Sequence, residues 1–591
     1  MMKRFISFFV IIAMLSTLFA ALAACGAAPQ GQATTAASAA TTQAAATTAA
    51  EKTTAATTTA ATTTASAAYD WRTPYENTVT LNFVRQGSVT SPKFPEGDDI
   101  SNNAFTRWIL ERFNLKVVNA WMTDTEYTQK IGLSIASKDI PDVMLVYDRT
   151  QLIQLIEGGL AADMAEALEK NISPLVRSIY EAQGGPSVMY RDCAGGNGHP
   201  YAIPCSEPIQ YALTWIRSDW LEKLKIPTPT TMDELIDAAR AFVKEDLAGD
   251  GNTIGINLDV EIVGHPNAVN RAGPLFGYHK AFPRTWHLDD ATGKYTYGSI
   301  TEETKNALSF MAGLYKERLF SPEFATIDAN AQVAANYCGV FFGAWWTGAW
   351  PLADGKANNP EIEWIPIWIP DANGKYNAFS PNKTPYWAVV RNGYANPEAP
   401  VKLANLSADQ QNLFRTAEFD DFESDIPAEV DTAYKNLEWK LDWGAWPLPL
   451  LVRYPDQMVR LEKVWNSLLK RREAGEAIPE FSTESFNADL ILAYKNGKDS
   501  SSQGFHVYTK TIALTLLAEN EKKSLALKDA VYPPVTDEFD LYWSNLKDLE
   551  DSTFLKIVTG EEPVTYFDTF REKWLSQGGQ ELIDIVNSLY K

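Results

Sequence analysis

Aromatic side chains are the main candidates for chemistry in this chain, which contains 18 tryptophans among 591 residues. All of them follow residue 68, and two close groups are Trp345, Trp346 and Trp350, and Trp443 and Trp446. Flat rings with few rotatable angles give binding energy at a low entropy cost. The catalytic patterns HExxH, GxSxG and GxxxxGK[ST] are absent from the sequence. The aromatic groups therefore predict a binding surface, and no pattern assigns a catalytic centre.

Polar residues follow two of the predicted strands. Arg85 ends a strand predicted for 78–85, and Asp148 comes shortly after one predicted for 142–146. In parallel sheets, ligands bind at the carboxyl ends of strands, so both residues are candidate ligand contacts. A solvated loop charge is an equally weighted interpretation of each.

Strands and amphipathic helices alternate along the chain. The predicted strands are 78–85, 115–120, 142–146, 213–217, 253–257, 338–342 and 386–390. The predicted helices are 104–113, 126–137, 151–157, 164–169, 232–244, 301–316, 397–405 and 457–472. This alternation predicts α/β lobes with largely parallel sheets. The part of the chain after residue 68 is too long for one core, so two or more lobes are expected.

The position of the tryptophans suggests which of them reach a ligand. Trp345 and Trp346 follow the strand 338–342, and adjacent residues of an extended segment point to opposite sides. At least one of the two is therefore expected to stack on a ligand, and Trp350 belongs to the same group. Trp443 and Trp446 lie in a loop-like stretch, where a bulky ring has less core to fill. Core packing is the competing interpretation of every one of these rings.

One segment is similar to a calcium-binding loop. Asp246, Asp250 and Asn252 place oxygen atoms at loop positions one, five and seven, with glycine at position six. Position three is Ala248 and position twelve is Asn257, so several ligands of such a loop are missing. A plain turn after a helix is therefore the favoured interpretation, and a calcium site the weaker alternative.

The cysteines after the N-terminal region allow one disulfide. Cys193 and Cys205 flank a glycine-containing loop, and an extracellular setting would permit a bond between them, although spacing cannot establish it. Cys338 lies in an apolar strand, where a packed thiol is expected.

The N-terminus predicts export and lipid anchoring. Lys3 and Arg4 precede an apolar run, and Leu22-Ala23-Ala24-Cys25 resembles the bacterial lipobox. Residues 1–24 are therefore predicted to be a signal peptide, with lipid attached at Cys25 and the protein held at the outer face of the cell membrane. An ordinary signal peptide or a single spanning helix is the alternative. Residues 25–68, rich in Ala and Thr, are predicted to be a disordered tether to a body formed by 69–591.

The charge balance argues against some classes of binding partner. The chain carries 52 basic and 74 acidic residues, a net charge of −22. This argues against nucleic acid and against electrostatic binding to anionic lipids.

Several segments carry a family resemblance. They are 140–146 with 155–163, 216–224 with 227–231, 314–324 with 342–346, and 558–560 with 567–587. In this order they resemble extracellular solute-binding proteins of the family 1 type, in its long lipoprotein branch. The resemblance implies an α/β, two-lobed periplasmic-binding-protein-like fold with a hinge and an interlobe cleft. It also implies a receptor without a cofactor that delivers its ligand to an ABC import permease, and members of this branch commonly bind oligosaccharides.

The resemblance also implies lobe boundaries. Lobe one would take about 75–208 and 353–430, and lobe two about 209–352 and 431–591. Glu207 would then lie at the first crossing between the lobes, which makes it another candidate ligand contact.

The residue types agree with a carbohydrate ligand. The C–H faces of sugars lie against aromatic rings, and their hydroxyls pair with planar polar groups such as carboxylates and guanidinium. Two other functions stay open. A cell-surface glycoside hydrolase would need paired carboxylates across a cleft. A wall-binding adhesin would usually show internal repeats, and none is visible after residue 68. A non-enzymatic import receptor is the preferred prediction.

Overall fold

The computed structural model describes residues 70–87, 94–123, 126–208, 211–249, 251–265, 268–380, 383–414, 420–434, 445–476, 483–531 and 536–590. The predictions for Cys25, the tether, Asp250 and Trp443 lie outside these residues. Residues 67–591 form one compact unit.

The first sheet has the strand order β2-β1-β3-β12-β4. Its strands are β1 (Val79–Gln86), β2 (Leu115–Thr123), β3 (Val143–Val146), β4 (Ala202–Pro204) and β12 (Trp387–Val390). β1 runs parallel to β2 and β3, whereas β12 is antiparallel to β3 and β4. The ends of β1, β3 and β4 and the start of β12 therefore meet at one edge of the sheet.

The second sheet has the order β10-β5-β9-β6, and the third the order β11-β13-β7-β8. The second contains β5 (Leu213–Arg217), β6 (Ile254–Ile256), β9 (Cys338–Gly343) and β10 (Trp364–Ile367). The third contains β7 (Trp286–Asp289), β8 (Lys294–Tyr297), β11 (Tyr376–Ser380) and β13 (Leu525–Val531). β5 is antiparallel to both of its neighbours, so the prediction of largely parallel sheets is wrong: all three sheets are mixed. The alternation of strands and helices in the sequence does not indicate strand direction, because a strand that follows a crossing from the other lobe can pair either parallel or antiparallel.

The helices cover both faces of the first two sheets. Their bounds are Ala104–Phe113, Tyr127–Ser137, Arg149–Glu157, Ala165–Asn171, Pro174–Ala182, Pro186–Met189, Ser218–Leu224, Met232–Lys244, Gly273–Tyr278, Glu302–Lys316, Ala329–Ala334, Leu352–Asn358, Glu398–Asn412, Ala428–Asp431, Gln457–Glu473, Thr483–Lys495, Ser502–Ser524, Asp537–Thr559, Tyr566–Trp574 and Gln580–Leu589. Local sequence explains several starts. Thr231 and Glu234, for example, form a capping box that satisfies main-chain N–H groups at the start of Met232–Lys244.

Each of the first two sheets separates two apolar clusters. Phe83 and Leu145 pack in one cluster, whereas their neighbours Val84 and Met144 pack in another on the opposite face. In the second sheet, Phe341 and Phe342 divide in the same way. This alternation places one layered core around each sheet, which gives two lobes.

The chain passes between the two lobes in three segments. They lie between β4 and β5, between β11 and β12, and at residues 450–457, where the chain leaves the first-sheet cluster for a helix of the other lobe. Residues 445–454 pack against the first sheet, and β10 and β11 lie in the second and third. The exact lobe boundaries stay a prediction, and this packing favours crossings near 380–387 and 454–457 for the second and third.

Candidate ligand-binding site

The edge of the first sheet where β1, β3 and β4 end carries a cluster of polar and aromatic side chains. Arg85, near the end of β1, is 6% exposed, and its Nη1 donates to the main-chain oxygen of Trp446 at 2.8 Å. The ring of Tyr147, just after β3, lies 4.8 Å from that of Tyr386, just before β12. Burial lowers the pKa of Arg85, and the nearby phenols of Tyr147 and Tyr386 oppose that shift.

Tyr147 is partly open to solvent. It is 41% exposed, and burial raises the pKa of its hydroxyl to about 12. Its ring packs against Tyr127 and Tyr386, so the side chain is held in place while water reaches part of it.

Glu207 lies at the same edge, after β4, and connects it to the other lobe. Burial raises the pKa of its carboxyl group, and His265 and Arg453 oppose the shift. His265 follows a segment whose apolar residues pack in the second lobe, so charges from both lobes act on Glu207. These two electrostatic interactions show that Glu207 lies near charged groups of both lobes.

The second lobe presents an aromatic edge. β9 ends at Gly343 opposite the start of β5, and Trp345 and Trp346 follow. Trp345 is 7% exposed and packs in the core, where Lys510 Nζ lies 4.8 Å from its ring centroid. Trp346 and Trp350 are half-buried and contact the same cluster from outside. Of the adjacent pair, Trp346 therefore has the accessible ring.

An apolar cavity adjoins this edge. It is small, with a volume of about 40 Å³, and its lining includes Tyr211, Gly264, Phe276, Phe282 and Tyr376. Tyr211 lies at the end of the first crossing and Gly264 precedes His265. The apolar lining of the cavity therefore extends from the end of the first crossing into the second lobe.

Two predicted contacts have structural roles. Trp446 is fully buried, stacks edge-on against Phe105 and donates from Nε1 to Ser407 Oγ at 2.6 Å. Asp148 accepts through Oδ1 from the N–H groups of Thr150 and Gln151 as the N-cap of the next helix. Trp446 is therefore closed to a ligand, whereas Asp148 stays a predicted ligand contact.

Sequence reasoning missed four residues of this region. Tyr147 directly follows the predicted strand 142–146, so the strand-end argument used for Arg85 could have found it. Tyr386 begins the predicted strand 386–390, and only the antiparallel direction of that strand brings it to the same edge. Arg453 and His265 lie in segments without a local pattern, and long-range folding brings them to Glu207.

The carboxylate of Asp246 is hydrogen-bonded within its own loop. One carboxylate oxygen accepts from the N–H of Gly251 and the other from Thr253 Oγ1, both at 2.8 Å. These bonds lower the pKa of Asp246. The amide nitrogen of Asn257, at position twelve, donates to Asn270 and to the main-chain oxygen of Ala329. Within the described ranges no group of three or more His, Cys, Asp or Glu could hold a metal ion. The observed contacts are those of a turn.

The three cysteines of the body are buried thiols. Cys193, Cys205 and Cys338 form no disulfide. Burial raises the pKa of Cys193 and Cys338 to about 12 and that of Cys205 well above its ordinary value. The thiols therefore stay protonated and unreactive at neutral pH.

Comparison with known proteins identifies the family. The family model of the bacterial extracellular solute-binding proteins matches residues 98–411. The chain belongs to this family. Among the helices of the part that the structure describes, none has the length and apolarity needed to span a membrane.

This solute-binding protein is similar to named relatives along most of its length. It is 23% identical over 525 residues to lipoprotein LipO of Bacillus subtilis, covering 85% of this chain and 91% of LipO. It is also 23% identical over 320 residues to the fructooligosaccharide ABC transporter substrate-binding protein FusA of Streptococcus pneumoniae, covering 52% and 56% of the two chains.

Solved structures show the same fold. FusA in complex with kestose superposes with a TM-score of 0.56 at 17% identity, covering 87% of this chain and 99% of FusA. The alginate-binding protein AlgQ2 without calcium ion gives 0.55 at 15% identity, covering 88% and 100%. The predicted two-lobed solute-binding fold with an interlobe cleft is therefore confirmed.

The first testable prediction separates the two adjacent tryptophans of the solute-binding protein. Trp345→Ala should lower the free energy of unfolding by about 3–5 kcal/mol, because it empties a core site. Trp346→Ala should cost less stability and weaken ligand binding by roughly 5- to 150-fold, if stacking contributes about 1–3 kcal/mol. Melting temperature and affinity of each variant test this. Early melting of both with normal affinity would place both rings in the core.

The second prediction concerns Glu207. Its raised pKa means that, between the unfolded and folded pKa values, the folded protein binds more protons than the unfolded chain. Stability from this group is therefore complete below the unfolded pKa and lost as the pH rises through the folded pKa. Melting curves of wild type and Glu207→Gln from about pH 4 to about pH 8 should show that wild type loses stability relative to the variant with rising pH. Parallel pH profiles would contradict the buried placement of Glu207.

Proposed function

We propose that this solute-binding protein is a membrane-anchored extracellular receptor that binds an oligosaccharide in its interlobe cleft and delivers it to an ABC import permease. The observation that carries the proposal is the pairing of two unlike edges at the first crossing. One edge holds guanidinium, carboxylate and phenol groups at Arg85, Glu207 and Tyr147, and the other holds the half-buried Trp346.

These groups match the two kinds of surface that a sugar presents. An accessible indole accepts the apolar C–H face of a pyranose or furanose ring. Charged planar groups form strong hydrogen bonds with hydroxyls, because an ionised partner roughly doubles the strength of the bond. Preorganised, partly buried groups also lose little solvation and entropy when the ligand binds.

The relatives support the same class of ligand. FusA is named as a fructooligosaccharide ABC transporter substrate-binding protein, and its solved complex contains kestose. AlgQ2 is named as alginate-binding. These ligands differ in charge and linkage, so they support carbohydrate as the class and leave the particular sugar to experiment.

The charges around Glu207 favour binding over hydrolysis. A glycosidase needs a second carboxylate across the cleft from its acid. Burial raises the pKa of Glu207, but the charged groups that act on that pKa are His265 and Arg453 and not a second carboxylate. The carboxyl group of Glu207 can form hydrogen bonds with sugar hydroxyls, and its charged neighbours are not those of a glycosidase acid.

A panel of oligosaccharides tests the proposed ligand class. Fructo-, galacturono- and gluco-oligosaccharides should be screened by thermal shift with wild type and Trp346→Ala. The cognate sugar at about 100 times its dissociation constant should add about 2.7 kcal/mol to the free energy of unfolding of wild type. The variant should need more sugar for the same shift. Release of shorter sugars during incubation would favour the hydrolase instead.

The lipid anchor at Cys25 belongs to the same proposal. The lipobox-like sequence and the lipoprotein name of LipO support it. A lone acyl chain anchors only marginally, so firm retention requires a multiply acylated cysteine. In cell fractionation, wild type should be found with the membrane, and Cys25→Ala should be released or left unprocessed. A processed variant that stays in the membrane fraction would contradict lipidation at this residue.

A further inference from the structure

One buried glutamine contacts all three segments that pass between the lobes. Gln183, 1% exposed, directly follows helix Pro174–Ala182 of the first lobe. Its side-chain Nε2 lies 3.0 Å from Ser206 Oγ, 3.0 Å from the main-chain oxygen of Glu207 and 3.3 Å from that of Arg453. Its main-chain oxygen accepts from Lys383 Nζ at 2.7 Å. Ser206 and Glu207 belong to the first segment, Lys383 to the second and Arg453 to the third.

The three segments also bond to one another beside Gln183. The N–H of Glu207 donates to the oxygen of Lys383 at 3.0 Å, and that of Arg453 to the oxygen of Ser206 at 3.0 Å. Ser206 and Val452 form a parallel β-bridge. Movement of one segment along another would break these bonds, so the segments share one register.

Gln183 attaches the three segments, in that register, to the first lobe. Leu175, Val176, Ile179 and Tyr180 anchor its helix in the first-sheet cluster. Because the amide has two N–H groups for three acceptors, one N–H is shared, and a small shift of the first or third segment weakens more than one contact.

We propose that Gln183 is a positioning residue that holds the three interlobe segments, and with them Glu207 and Arg453, in a fixed geometry on the first lobe. Lobe rotation then takes place beyond this junction, on the side of the second lobe. Gln183 does not contact the ligand; it limits the range of interlobe angles in the free protein and so reduces the entropy lost when the lobes close. The effect on affinity rests on the proposed function, whereas the effect on interlobe angles does not.

Gln411 offers a matched control. It is also a buried glutamine, and its Nε2 donates to the oxygen of Leu450 at 3.0 Å. Its Oε1 accepts from the N–H of Val452 and from Arg453 Nε, both at 3.2 Å. These side-chain contacts all involve the third segment. Gln411→Met therefore removes buried hydrogen bonds of the same kind without untying the three segments from each other.

The experiment measures interlobe distances in the free protein. Cysteines that replace the exposed Glu169 in lobe one and Lys244 in lobe two carry spin labels, while the buried native thiols stay unlabelled. Gln183→Met should broaden the distance distribution, and Lys383→Met should broaden it less because it cuts one tie. Gln411→Met should leave the width unchanged even where it lowers the melting temperature equally. Should Gln183→Met fail to fold, Lys383→Met decides.

Binding of kestose to the same variants gives the second readout. If wild type binds it, Gln183→Met should weaken affinity roughly tenfold, because closure must then order the interlobe segments, and Gln411→Met, which loosens the third segment alone, should weaken it less. A wild type that binds no sugar refutes the proposed function and leaves the distance test of Gln183 in force. An unchanged distance distribution in Gln183→Met, or equal broadening in Gln411→Met, overturns the proposal.

Discussion

Three backbone segments pass through one narrow junction between the lobes, and every buried main-chain group there needs a hydrogen-bond partner. The segments satisfy one another through the Ser206–Val452 bridge and the Glu207–Lys383 bond, and Gln183 donates to the main-chain oxygens of Glu207 and Arg453. This requirement decides where Glu207 and Arg453 lie, because both belong to the paired segments. The proposed binding groups Glu207 and Arg453 are thus positioned by the same contacts that hold the three segments together.

The local charge of the cleft region depends on which residues this arrangement brings there and not on the net charge of the chain. The chain has a net charge of −22, yet Arg85 and Arg453 lie in the cleft region with pKa values that burial lowers. Burial of a cation is costly unless polar partners surround it. The phenols near Arg85 and the carboxylate near Arg453 supply such partners. The free-energy cost of desolvating these two guanidinium groups therefore arises when the protein folds and not when a ligand binds.

Sequence patterns predicted the local elements well. The helices Ala104–Phe113 and Met232–Lys244 and the strand Leu213–Arg217 have the predicted bounds, since capping residues and apolar periodicity mark them. Strand directions and the third sheet were not predictable, because distant segments create them. The site residues show the same difference between features set by local sequence and features created by distant segments. Arg85 and Trp346 follow from strand ends, whereas Trp446 looked like a loop residue and became core once Phe105 and Ser407 were beside it.

The pairing of β11 with β13 joins residues about 150 positions apart in sequence. A chain that appears N-terminus first cannot complete the third sheet until Val531 has appeared. Until then β11 has no parallel partner, and Val452 must likewise arrive before the junction at Ser206 can close. Contacts of such long sequence separation form slowly. The first sheet needs no strand beyond β12, so its strands can pair well before those of the third sheet.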